Sequence, residues 1–213
     1  MDTGNKLKSI VLPEGITTIP AYSFIACQSL ESVTLPSTIR TIGNAAFGAY
    51  WKNSNGSSTL IGCDRLSSIN IPNGVTSIGY GCFTGCASLT SITIPNSVTS
   101  LGNSAFDMCT GLTTVSLGTG ITTLRQEMFR RCTSLTDVTI PNTITSIQEG
   151  VFCGCSSLQT IVIPDSVTEL GDIYAYLHDY EGVFSGCTSL ANVTLSNNLR
   201  TLRGNTFYNC TSL

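Results

Sequence analysis

A 23-residue unit recurs along this chain, and that period constrains the fold more than any other feature. Residues 89–111, LTSITIPNSVTSLGNSAFDMCTG, show it most clearly. Leucine opens the unit, branched apolar residues follow at the fourth and sixth places, and proline usually takes the seventh. Apolar residues return at the tenth and thirteenth, phenylalanine stands at the eighteenth and cysteine at the twenty-first. The opening leucines are Leu7, Leu30, Leu66, Leu89, Leu112, Leu135, Leu158 and Leu190, and Leu213 begins a further copy. The uncommon residues test the register. All eight phenylalanines (Phe24, Phe47, Phe83, Phe106, Phe129, Phe152, Phe184, Phe207) share one place, and eight of the ten cysteines share another. Six of the seven prolines share a third, with Gly118 and Ser196 substituting in the fifth and eighth units. A fixed period of this length marks a solenoid, in which each unit buries its apolar side only against its neighbours.

Each unit begins with an apolar/polar alternation that proline ends, as in Ser91-Ile92-Thr93-Ile94-Pro95, so a strand is expected there. Equivalent strands should pair side by side as a parallel sheet on one face. A shorter extended piece follows, such as residues 98–102, whose glycine permits a turn. The last third should make a single helical or 3-10 turn that brings the phenylalanine over the core.

These residues resemble the BspA-like class of leucine-rich repeats, found in surface proteins of bacteria and some protozoa. The resemblance is carried by Leu-x-x-Ile/Val-x-Ile/Leu-Pro, then Ile/Val-Thr-x-Ile/Leu-Gly, then Ala-Phe-x-x-Cys, and it covers residues 7–213. It implies a leucine-rich-repeat solenoid of about eight units behind a short tail at residues 1–6. It also implies a non-enzymatic, adhesion-type module on a cell-surface or secreted protein. The implied partners are extracellular-matrix or cell-surface proteins. A structural spacer presenting another domain and a glycan-binding module are the alternatives, since a repeat fold is a scaffold that many functions share.

Only 11% of residues are charged and the net charge is -3, which argues against nucleic acid as a partner. No apolar run reaches the ~20 residues of a membrane span. Residues 1–6 show no signal peptide, and the unfinished last unit suggests a piece of a longer protein. An open last unit would expose the side of Leu190, Val193, Leu195 and Phe207.

Ten cysteines suggest disulfides, but a repeated place reads better as a packing choice. Neighbouring copies would stand ~4.8 Å apart with parallel side chains, which disulfide geometry opposes. Reduced, buried thiols are expected. Cys82 falls where other units have Ala46 or Ala105 and reads as core, while Cys153 falls outside the pattern and reads as the exposed thiol.

Two units are longer than the period. Residues 48–62 add about 13 residues and residues 172–183 about 9, both in the last third of the unit. They hold the only Trp, the only His and four of the seven tyrosines. Tyr50, Trp51, Tyr174, Tyr176, His178 and Tyr180 are therefore candidate contact residues, because insertions in repeats map to loops and aromatics favour interface centres. The alternative is that they fold back over their own unit. A second candidate surface is the outward side of the long strands, with Thr34, Thr93, Ser116 and Thr139 among its hydroxyls. Threonine also simply suits a half-exposed strand.

Catalysis needs a nucleophile with a base, paired carboxylates, or a metal. His178 is the single possible imidazole, the sheet face offers only Asp137, and the pairs Cys153-x-Cys155 and Cys82-x-x-x-Cys86 do not converge on one point for zinc, since Cys86 and Cys155 belong to the ladder three layers apart. No catalytic residue, metal or cofactor is expected.

Overall fold

The computed structural model describes residues 6–54, 57–171 and 182–213. Eight short strands lie along one face: Ser9–Val11, Ser32–Thr34, Ser68–Ile69, Ser91–Thr93, Thr114–Ser116, Asp137–Val138, Thr160–Val162 and Asn192–Thr194. They pair in parallel in three groups, with Ser9 opposite Ser32, Ser32 opposite Ser68, Ser91 opposite Thr114, Thr114 opposite Asp137, and Thr160 opposite Asn192. The partners are equivalent places of successive units. The register is therefore kept across both insertions, since a one-residue shift would turn Val33 or Ile161 to solvent.

The second extended pieces stack likewise. Thr18–Ile19, Thr41–Ile42, Ser77–Ile78 and Ser100–Leu101 form one ladder, and Thr123–Leu124, Ser146–Ile147 and Glu169–Leu170 form another. The glycine expected to permit a turn after this piece does something else. Gly43, Gly79 and Gly102 keep ordinary negative φ, but a Cβ on Gly43 would lie 2.5 Å from the Ala21 nitrogen, and one on Gly102 2.5 Å from the Gly79 carbonyl carbon. At these three positions glycine is required by close approach between neighbouring units, whereas Gly171, at the same place of the seventh unit, has a φ of 84° and uses glycine's conformational freedom.

The final third is a run of hydrogen-bonded turns and not regular helix, and no helix is assigned among the described residues. Its backbone alternates in handedness. Ser104 and Met108 have φ of 54° and 57°, Glu127 and Arg131 have 55° and 57°, and Gly81, Gly85, Gly150 and Gly154 take the same places in other units. Alternate N–H groups are thereby released from the turn. Those of Ser104, Phe106 and Met108 donate to the carbonyls of Gln126, Met128 and Arg130 in the next unit, at 2.8, 3.0 and 2.8 Å. A helical turn would spend these donors on itself and leave nothing to stack. The left-handed residues cost ~1–2 kcal/mol each, which the inter-unit bonds offset.

Inside, Phe47, Phe83, Phe106, Phe129, Phe152 and Phe184 are fully buried, while Phe24 and Phe207 at the two ends are partly buried. Their rings stack with centroids 5.2–5.8 Å apart and planes within 13° of parallel. Transfer from water is worth ~1.5–3 kcal/mol per buried ring. The leucines Leu30, Leu66, Leu89, Leu112, Leu135, Leu158 and Leu190 fill the same interior.

Candidate functional site

Strand alternation puts Ile92 and Ile94 in the core and Ser91 and Thr93 in solvent, and it repeats along the long face. All the outward residues from Ser9 and Val11 to Asn192 and Thr194 are exposed, with Val11 at 73% and Val162 at 61%. Thr34, Thr93, Ser116 and Thr139 all lie on this surface. Thr93 and Ser116 are direct cross-strand neighbours, Thr34 pairs with Val11, and Thr139 sits one residue beyond its strand. Asp137 is the single charge among them.

The first insertion is an antiparallel hairpin, Tyr50–Ser54 against Ser57–Ile61, with Trp51 opposite Leu60. Its signal was present in the sequence: Asn55-Gly56 is the dipeptide that favours a two-residue hairpin turn. Tyr50 is 46% exposed and Trp51 54%. The hairpin does not stand free. A Cβ on Gly85 would lie 3.0 Å from Leu60 Cδ2, so glycine there leaves room for the hairpin to lie across the turns of the following unit.

Beside it is a pocket of about 160 Å³ that Trp51 shares with Tyr80, Ser104, Asp107, Glu127 and Arg130. Arg130 donates through Nε to Asp107 Oδ1 and through Nη2 to Oδ2, both at 3.1 Å. Its Nη1 stands 3.3 Å from Glu127 Oε1, and Ser104 Oγ donates to Glu127 Oε2 at 3.1 Å. The Asp107 and Arg130 side chains are 8% and 19% exposed. Sequence reading missed this cluster. Asp107 and Arg130 hold the same place in adjacent units, 23 residues apart, so stacking alone brings them together.

None of the ten cysteines is in a disulfide. Cys82 is buried, as expected of core, and Cys153 is only half-buried, as is Cys210. The ladder thiols donate to phenylalanine carbonyls of the preceding unit, for example Cys109 to Phe83 at 3.1 Å and Cys155 to Phe129 at 3.1 Å. Burial raises their pKa values, that of Cys63 to about 12, so these thiols are not thiolate nucleophiles at neutral pH. Tyr174, Tyr176, His178 and Tyr180 lie outside the described residues. Among the described residues no helix is long and apolar enough to cross a membrane.

Comparison with known proteins agrees with this geometry. A family profile described as "BspA type Leucine rich repeat region" matches in six copies over residues 3–55, 53–181 and 179–213. A leucine-rich repeat protein from Bacteroides ovatus is similar in structure, with 26% identity and a TM-score of 0.67 over 98% of this chain and 66% of that one. A leucine rich cell surface protein from Faecalibacterium prausnitzii has 29% identity and a TM-score of 0.57, over 94% of this chain and 62% of that one. The leucine-rich repeat protein of T. pallidum has 28% identity and a TM-score of 0.54, over 89% and 70%. The chain thus spans under two thirds of the length of the first two. A comparison with curated proteins gave no match.

Proposed function

The chain belongs to the BspA-type leucine-rich repeat family, and on that premise we propose that it is a non-enzymatic, adhesion-type binding module of a cell-surface or secreted protein. Its partner is a protein of the extracellular-matrix or cell-surface type. The observation that carries this reading is the long-strand face, where every outward residue is exposed and Asp137 alone is charged. Such a face is broad, rigid and cheap to desolvate, because hydroxyls and short apolar groups give up less hydration than charges do. Thr34, Thr93, Ser116 and Thr139 are its proposed contact residues. The cell-surface relative from F. prausnitzii supports the location.

The experiment is a binding screen against immobilised extracellular-matrix proteins, followed by Thr93→Arg with Ser116→Arg. Two guanidinium groups on neighbouring strands keep the fold, since both positions face water. Binding should fall at least tenfold in the double variant. A blank screen would support the spacer reading instead, and undiminished binding by the variant would remove the face as the contact.

A further inference from the structure

The pocket beside the hairpin differs from the sheet face in every chemical respect. It is small, it is walled by the two exposed aromatics Trp51 and Tyr80, and it contains a charge cluster whose members already satisfy one another. We infer that this pocket is a carbohydrate subsite that accepts one neutral pyranose unit.

Size is the first argument: about 160 Å³ holds a single sugar ring or one side chain, not a folded segment. The second is the mixed character of the lining. A pyranose has an apolar face of C–H groups and a rim of hydroxyls, so it needs flat apolar surface and hydrogen-bonding groups together. Trp51 and Tyr80, 54% and 58% exposed, supply the first. Asp107, Glu127 and Ser104 supply acceptors, because a carboxylate oxygen with one bond can take a second from a hydroxyl. The third argument is charge. Arg130 is held bidentately by Asp107 and again by Glu127. An anionic ligand would have to displace a carboxylate from Arg130 in this largely buried network, which is unfavourable. Hydroxyls can join it without breaking an ion pair, and the network fixes the acceptors in place beforehand.

Trp51 is the only tryptophan, so its emission reports on this pocket. The probes are the methyl glycosides of glucose, galactose, mannose and N-acetylglucosamine, with N-acetylarginine amide as the cationic control. At least one glycoside should change the emission saturably, with half-saturation at about 1–10 mM, as suits so small a contact. Its ring C–H protons should receive saturation from the protein in transfer NMR. Tyr80→Ala should weaken the response at least tenfold and Glu127→Gln several-fold, with thermal midpoints that show both variants folded. Silence from all four glycosides overturns the inference, as does an equal response in Tyr80→Ala or a response to the arginine amide in their place. The inference is independent of the protein-binding reading, because Thr93→Arg with Ser116→Arg should leave the sugar titration unchanged.

Discussion

The thiol of Cys132 donates to the carbonyl oxygen of Phe106, 3.2 Å away and one unit earlier in the stack. The same oxygen accepts the Cys109 amide at 3.2 Å. Cysteine at this place therefore joins two layers as well as filling space, and the relation recurs from Cys63 with Phe24 to Cys210 with Phe184. Removing the sulfur should reduce stability in proportion to its burial. Cys132→Ala should lose about 1–3 kcal/mol in urea unfolding, and Cys210→Ala, half-buried, clearly less. Equal losses at the two positions would contradict this account.

Burial of these thiols also dictates an alkaline limit. Their folded pKa values lie above the ordinary thiol value of 9.0, with Cys63 at about 12. An acid whose pKa is raised on folding contributes stability that is fully present below its unfolded pKa. It is lost as pH rises toward the folded one, because the unfolded chain releases protons that the native chain keeps. Each fully buried thiol then contributes up to about 1.4 kcal/mol per pH unit. Unfolding free energy should be independent of these thiols from pH 6 to 8 and fall steeply between pH 9 and about 12. Urea titrations across that range are the measurement, and a flat profile above pH 9 would count against buried thiols.

The phenylalanine column should be strongest in its middle. Phe106 is fully buried between Phe83 and Phe129, whereas Phe207 is stacked on Phe184 alone and partly buried. Phe106→Ala should cost about 3–5 kcal/mol. Phe207→Ala should cost less, and calorimetric midpoints of the two variants should rank in that order.

Pro20, Arg125, Gln148 and Arg203 stand at the end of the second extended piece in other units, but Gly102 should be irreplaceable there for steric reasons. In Gly102→Ala the new methyl meets the backbone of Gly79 and Tyr80, which can move only if the layers part. A loss of about 1–3 kcal/mol is expected. Gly204 has nothing within 4 Å of a built Cβ, so Gly204→Ala should stay within about 0.5 kcal/mol of the parent. Comparable losses in both would mean that chain flexibility matters here and not contact.

The repeat, the parallel pairing of its strands and the buried phenylalanines were all legible in the chain. Each follows from spacing alone: a 23-residue period puts Phe83, Phe106 and Phe129 at one place, and identical places must meet when identical units stack. The inward turn of Ile92 and the outward turn of Thr93 follow from the twofold period of a strand. What depends on approach between layers was not legible. The sequence does not say that Gly43 is needed for contact, that Ser104 and Met108 adopt left-handed backbone so that alternate amides reach the next unit, or that the hairpin bearing Trp51 lies across the turns beyond it. Nor does it place the cluster of Asp107, Glu127 and Arg130 beside Trp51 and Tyr80, because that meeting depends on how far the hairpin folds back. Period and alternation are properties of one chain read in one dimension, whereas the close approach of backbones and the making of a pocket require distances between residues that only stacking in three dimensions supplies.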